Sequence, residues 1–452
     1  MKKPSSPKPC VRLTLFVTLA LPGMATTRSP DAPPNIVLII SDDQAWTDYS
    51  FMGHEHIETP RLDKLASESL TFTRGYVTAP LCRPSLASIF SGKFVHQHGI
   101  SGNDPRLPAG QKNGGRRNPE LASLYATIMD RIDADPGLAH LLSGAGYRTL
   151  QTGKWWEGDP QQRGGFTHAM THGDPKRGGR HGDAGLSISR DGIEPITDFI
   201  REANADEKPF FIWHAPFLPH TPHNPPKRLF EKYQAKTDSA HIARYWAMCE
   251  WFDETCGQLL DHLDSQGLRD NTIVMYVTDN GWIQSADSAR YAARSKRSPN
   301  EGGIRTPIMM RWPGRIEAMR DDKMLVSSID IAPTLLSAAG IETPPSMTGL
   351  DLRNSAGLQR RNAVFGAAYD HDIYDVNRPN HSMSTRYVVA GEWKLLVPNL
   401  SASPKAQHEL YRLDQDPHET RNLAQSEADI VSALEARLDA WWTGVCDPSE
   451  PR

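Results

Sequence analysis

The chain has 452 residues, 38% of them hydrophobic, and a formal net charge of −4. That length is enough for a large single core or two domains. The near-neutral balance gives no electrostatic case for nucleic acid or a membrane surface as partner. Basic residues do cluster locally, at Lys176-Arg177 with Arg180 and from Arg290 to Arg297. Such clusters are usually solvated faces, and at a site they would suit an anionic substrate.

Residues 1–27 read as a signal peptide. Lys2, Lys3, Lys8 and Arg12 precede the apolar run Leu13 to Leu21, and small residues follow at Gly23 and Ala25. The run is too short to span a bilayer, and no later stretch approaches that length. The expectation is an exported protein, periplasmic or secreted, with no membrane span. The cysteines after Cys10 are Cys82, Cys249, Cys256 and Cys446, which is no disulfide-dense scaffold. Cys249 and Cys256 fall in one helical pattern, roughly 10 Å apart along its axis, too far to bridge. They read as core residues, and pairing of either with Cys446 stays open.

In chain order, Asn35 to Ser41 is a continuous apolar run, as in a strand buried on both faces of a parallel sheet. It ends in Asp42-Asp43. Ligands bind outside the carboxyl ends of such strands, so two carboxylates there could hold a metal; taken alone, an Asp pair more often caps the next segment. Thr59-Pro60 opens a helix. Thr71 to Val77 is a short strand that leads into Cys82-Arg83-Pro84-Ser85. Pro84 suits a first helical turn, and Leu86, Ile89 and Phe90 form one apolar face. Cys82 therefore precedes a helix N-terminus, where backbone N–H groups and the dipole favour an anion. By itself this is more often an idle buried cysteine.

His96-Gln97-His98 could ligate a metal, though such a loop more often hydrogen-bonds locally. Residues 101–119 read as an irregular loop. A helix over Leu138 to Leu142 and a strand over Tyr147 to Thr152 lead to Gly153-Lys154-Trp155-Trp156. Residues 159–185 form a long Gly- and His-rich loop. Ile193 to Ile200 reads as a helix and Pro209 to His214 as a buried strand that runs into Pro219-His220-Thr221-Pro222. A long helix spans Ile242 to Leu263. Asn271 to Thr278 is a second strongly apolar strand and ends in Asp279-Asn280-Gly281. Two apolar strands thus deliver oxygen ligands at their carboxyl ends, which strengthens the case for a metal. Lys296 and Glu301-Gly302-Gly303 precede a strand over Ile308 to Met310, and Ile329 to Ala339 reads as a helix. From about Pro344, short strands and a last helix over Ile430 to Trp442 indicate a small antiparallel sheet.

Cys-x-Pro-Ser followed by a small and apolar helix and Ser-Gly resembles the signature of the formylglycine-dependent sulfatases. Asn35 to Asp43, the Cys82 turn, Gly153-Lys154-Trp155, Pro219 to Pro222, Thr278 to Gly281, Glu301 to Arg305 and Glu409-Leu410-Tyr411 all stand in that family's order. The resemblance implies an α/β, alkaline-phosphatase-like fold: a central, mostly parallel sheet flanked by helices, with a smaller C-terminal antiparallel-sheet subdomain. The catalytic domain would span 28–343 and the subdomain 344–452.

The same resemblance implies that a formylglycine-generating maturation enzyme oxidises Cys82 to an aldehyde, whose hydrate supplies the nucleophile. It implies a divalent ion, usually Ca²⁺, held by Asp42, Asp43, Asp279 and Asn280 with the converted Cys82. An all-oxygen set suits Ca²⁺ or Mg²⁺ and not zinc. Lys154 and Lys296 would bind the sulfate oxygens, and His220 the leaving-group oxygen. The expected substrate is a sulfate ester, small or polymeric, of a sulfated carbohydrate. The family signature has an arginine four places after the cysteine and a histidine after Lys-Trp. Here those places hold Leu86 and Trp156. Arg83, or one of His168, His172 and His181, is the candidate stand-in. Two other readings share the scaffold: a phosphodiesterase or phosphonate hydrolase, and a non-catalytic binder of sulfated glycans.

Overall fold

The computed structural model describes Met1 and residues 32–107, 118–174, 177 and 179–442. The expected signal peptide apart from Met1, and also Cys10, Lys176 and Cys446, lie outside the described residues. The apolar run Asn35–Ser41 (β1) is buried at every position. It can be so because it is the middle of a sheet with neighbours on both sides. In sequence order the other long strands are Leu70–Tyr76 (β2), Arg148–Gly153 (β3), Phe210–Ala215 (β4), Thr272–Thr278 (β5) and Arg305–Arg311 (β6). The sheet has nine strands. Its spatial order runs Val326–Ser327, β2, β6, β5, β1, β4, β3, His168–Ala169, with Met319–Asp321 on β2. β5, β1, β4 and β3 are mutually parallel. Only β6 runs against its neighbours β5 and β2. Apolar side chains of β1 alternate between two cores, Ile36, Leu38 and Ile40 on one side and Val37 and Ile39 on the other, as the period of a strand requires.

A second, four-stranded antiparallel sheet is formed by Val364–Tyr369, Met383–Ala390, Trp393–Pro398 and Glu409–Arg412. One face, with Tyr387, Val389 and Leu396, joins the main core. The other, with Val388, Ala390 and Leu395, packs on Val431, Leu434 and Leu438 of the helix Ala428–Trp441.

Several elements differ from the sequence reading. The helix after the cysteine is Cys82–Ser91, so Cys82 is its first residue and Leu81 its cap. The 101–119 segment is not loop throughout. Asp104–Pro105 pairs with Asp372–Ile373, and Pro119–Asp133 is a helix started by the Asn118 side chain, which accepts the Glu120 N–H. Its buried residues Leu121, Ile128 and Ile132 keep helical spacing. Cys249 and Cys256 are buried in the helix Ala240–Ser265, as expected of core residues, and both are free. Among the described residues no helix is long and apolar enough to cross a membrane.

Candidate active site

The register of the sheet builds the site. β1 and β5 pair residue for residue from Asn35 with Thr272 to Ser41 with Thr278. The next residues, Asp42 and Asp279, must then emerge side by side. Asp43 has φ of 63°, the left-handed region that Asp tolerates better than most residues. That turn breaks the strand alternation, so that Asp42 and Asp43 both face the same buried cradle. The Asp279 Oδ1 accepts the backbone N–H of Asp43 at 3.1 Å and of Asn280 at 2.6 Å. Asn280 Nδ2 donates to Asp43 Oδ1 at 2.7 Å.

Two ammonium groups enter from the opposite walls. Lys154 Nζ lies 2.8 Å from each carboxylate oxygen of Asp42. Gly153 delivers it with φ of 77°, in a place where a Cβ would sit 1.8 Å from the Ala215 carbonyl oxygen. Lys296 Nζ lies 2.7 Å from both oxygens of Asp43. Burial alone would depress both lysines. The Asp42 carboxylate overrides it for Lys154, and Asp43 for Lys296, so both pKa values rise and both groups are cations.

His220 completes the wall. Its Nδ1 is 2.6 Å from the Thr221 carbonyl, so the proton sits there and Nε2 is the free acceptor. Lys296 Nζ is 3.4 Å from that Nε2, and Asp43 Oδ2 is 3.3 Å from it. Burial first, then Lys154 and Lys296, push the imidazole pKa well down, so His220 is neutral. Phe217 stacks on it with centroids 4.3 Å apart.

Cys82 opens the helix at the centre of this cradle. Burial pushes its thiol up to about 12, against the pull of Lys154 and Lys296. A thiol of that kind is not a nucleophile at neutral pH. Asp42, Asp43, Cys82 and His220 each offer a ligand atom within 4.8 Å of the others, a possible metal site. Two further oxygens beside them, Asp279 Oδ2 and Asn280 Oδ1, are buried without any hydrogen-bond partner. Orphaned buried oxygens are costly and ask for an explanation. An oxygen-rich set with unsatisfied acceptors fits a hard cation.

The sulfatase profile matches residues 34–341. This chain belongs to the sulfatase family. A second profile, N-sulphoglucosamine sulphohydrolase C-terminal, matches residues 291–442. The N-acetylgalactosamine-6-sulfatase of Sus scrofa is 28% identical over 385 residues, 75% of this chain and 69% of that protein. Among solved structures, Ps i-CgsB matches with a TM-score of 0.71 at 22% identity, covering 93% of this chain and 95% of that one. A protein solved with its substrate D-glucosamine-2-N,6-O-disulfate matches at 0.67 and 20%, covering 93% and 100%. The phosphonate monoester hydrolase of Agrobacterium radiobacter matches at 0.65 and 18%, covering 90% and 95%. These structural likenesses show the fold, which is the alkaline-phosphatase-like one expected. The family and its named relatives make this sulfatase a sulfuric ester hydrolase.

Within the sulfatase, the residues at the two departures meet. Leu86 and Trp156 line one small cleft with Phe90, Trp155 and Lys154. Lys154 Nζ stands 5.2 Å over the Trp156 ring and 5.3 Å from that of Phe217. Arg83 lines the same cleft, but its guanidinium is already engaged. Its Nε and Nη2 donate to Glu157 at 2.8 and 2.6 Å, and Nη1 to the Asn103 carbonyl at 3.2 Å. Of the three candidate histidines, only His181 reaches this wall, 5.4 Å from Trp156 and 5.7 Å from Phe217 by ring centroids. His168 is at the sheet edge beside Arg148, and His172 faces Asp183. The histidines at 96 and 98 part company, His98 to Ser88 and His96 to Trp441 and Trp442. Phe217 and Glu157 carry no motif of their own; their role at the site follows from contact alone.

Proposed function

We propose that this sulfatase hydrolyses a sulfate monoester carried by a carbohydrate, with Cys82 converted to formylglycine and a divalent cation in the acidic cradle. One observation carries the reading. Cys82 begins a buried helix within 4.8 Å of ligand atoms from Asp42, Asp43 and His220, with Lys154 and Lys296 on the same carboxylates. Cation ligands and anion-binding cations converge on one side chain.

Asp42, Asp43, Asp279 and Asn280 would hold the cation together with the converted residue 82, and their donor chemistry suits Ca²⁺, with Mg²⁺ as the alternative. When bound, the ion supplies Lewis-acid stabilisation of the sulfate charge and an activated oxygen nucleophile on the aldehyde hydrate. Lys154 and Lys296 bind the sulfate oxygens and oppose the charge that grows on them. His220 orients the leaving oxygen, and the Lys296 ammonium beside its Nε2 is the proton source for the departing alcohol. Arg83 acts through Glu157, fixing the segment that follows Lys154 against the Cys82 helix. His181, on the aromatic wall, is the stand-in for the histidine absent at Trp156.

The N-acetylgalactosamine-6-sulfatase relative and the disulfated glucosamine complex support a sulfated sugar as the substrate class. The expected export is tested by fractionating expressing cells: activity retained with the cytosol removes it. Function is tested by co-expression with a formylglycine-generating enzyme and parallel assay of sulfated sugars, phosphodiesters and phosphonate monoesters in Ca²⁺. Sulfate release should dominate. A preference for the phosphorus esters would move this chain toward the phosphonate hydrolase whose fold it shares. Binding of sulfated sugars with no turnover of any ester would make it a glycan-binding descendant.

A further inference from the structure

A groove lies next to the paired strands Asp104–Pro105 and Asp372–Ile373, lined by Arg106, Tyr374, Asp375, Asn377, Arg378 and His381 among others. Tyr374 is 41% exposed, one of few large apolar side chains so presented. The Arg106 guanidinium lies 4.6 Å from its ring centroid. Of the nearby arginines, Arg180 pairs with Asp104 and Arg378 with Asp375, and Arg131 donates to the Val376 carbonyl. Arg106 pairs with no carboxylate among the described residues, and its guanidinium lies over the Tyr374 ring.

Two links join this groove to the catalytic cradle. The Asn103 side chain accepts the backbone N–H of Arg83 at 3.1 Å, one residue from Cys82. Asp104 pairs with Arg180, one residue from His181 on the aromatic wall. From there Asp104–Pro105 runs parallel to Asp372–Ile373, and the Arg106 N–H donates to the Ile373 carbonyl at 2.9 Å. Arg106 is thus three residues from Asn103, on the order of 10 Å of extended chain.

A flat aromatic with an arginine held over it offers a face for a sugar ring and a fork for an anionic substituent. A guanidinium with no carboxylate partner gains more from an anionic substituent than from a neutral hydroxyl, so the groove favours an anionic sugar. We infer that this groove is a second glycan subsite, which takes a sulfated or carboxylated sugar unit of a longer chain while the scissile ester lies at Cys82. The inference rests on the carbohydrate-sulfate reading above and extends it from a single sugar to a polyanionic oligosaccharide.

The test is calorimetric binding to full-length protein made without the maturation enzyme, so that no turnover intervenes. The probes are hexasaccharides of chondroitin 6-sulfate, heparan sulfate and carrageenan, each against its sulfated monosaccharide. The protein should bind at least one hexasaccharide about tenfold or more tighter than its monosaccharide, some 1.4 kcal/mol. Arg106→Ala and Tyr374→Ala should each remove most of that ratio, and Arg106→Lys, which keeps charge but loses the planar stack, part of it. Melting curves confirm that each variant is folded. No preference for any hexasaccharide, or a ratio unchanged in the variants, overturns the subsite. Failure of the catalytic reading shows separately: matured protein would release no sulfate from any probe while the Arg106-dependent preference persists.

Discussion

Two buried clusters in this protein set lysines against carboxylates, and they are built to different ends. In the first, Lys394 on strand Trp393–Pro398 lies 3.0 Å from Glu301 and 2.9 Å from Glu419, all three at most 1% exposed. Glu301 Oε2 takes the Tyr76 hydroxyl at 3.2 Å, and Glu419 Oε2 takes the Glu301 backbone N–H at 2.7 Å. Every carboxylate oxygen there has a donor or a cation. In the second, Asp42, Asp43 and Asp279 face Lys154 and Lys296, and among the described residues Asp279 Oδ2 and Asn280 Oδ1 have no partner. A self-satisfied cluster is a bracket, and it joins the small sheet to the segment that carries Lys296. A cluster left unsatisfied is a receptacle. Burial and residue types are alike in both, so neither identifies a site; the unpaired oxygens do.

The largest expected effect falls on the bracket. Lys394→Met leaves the buried Glu419 carboxylate without a cation and should lower unfolding free energy by about 3–5 kcal/mol, measured by urea unfolding. The surviving folded protein should keep its turnover. Unchanged stability with lost turnover would erase the distinction between the clusters. Lys154→Ala should do the reverse, lowering kcat by about 10²–10³-fold in a protein that still melts cooperatively. Next comes the cation. Chelation followed by Ca²⁺ titration should lower and then restore the melting temperature, by about 2.7 kcal/mol of stability at a hundredfold excess over Kd, and Asp279→Ala should abolish the response. A melting curve indifferent to Ca²⁺ would leave the orphaned oxygens unexplained.

A separate effect, spread over pH, concerns Asp48, which belongs to neither cluster. Burial pushes its carboxyl up to about 7, although the Tyr245 hydroxyl donates to it at 2.6 Å. Its folded pKa is above the unfolded one, so the native state binds the extra proton between them. The stabilisation is complete below about 4 and is lost as pH rises through 7, at no more than about 1.4 kcal/mol per pH unit. Asp48→Asn should flatten the decline in melting temperature between about pH 4 and 7. A variant that declines as steeply as the parent would contradict this.

Much of this site could be read from the chain because its parts are local. The apolar runs of β1 and β5 each end in acids, and Cys82-Arg83-Pro84 announces a helix start. What the chain did not disclose depends on register and long-range contact. Nothing local says that Asp42 and Asp279 stand side by side, or that Lys296 reaches Asp43 across 253 positions. Arg83 looked available for an anion because Glu157 is 74 positions away. His181 could not be told from His168 and His172 until the loop was folded onto Trp156. The helix Pro119–Asp133 shows in the spacing of Leu121, Ile128 and Ile132, a signal masked by the Gly- and Pro-rich stretch before it.

The central claim is that Cys82 is the precursor of the reactive group, and the most direct measurement is the mass of the tryptic peptide that contains it. The protein should be purified from cells that also make a formylglycine-generating enzyme. The account predicts a peptide lighter by the exchange of a thiol-bearing carbon for an aldehyde, despite Leu86, with sulfate release in proportion to the converted fraction. A peptide that keeps its thiol in a protein that releases sulfate at the same rate would contradict it.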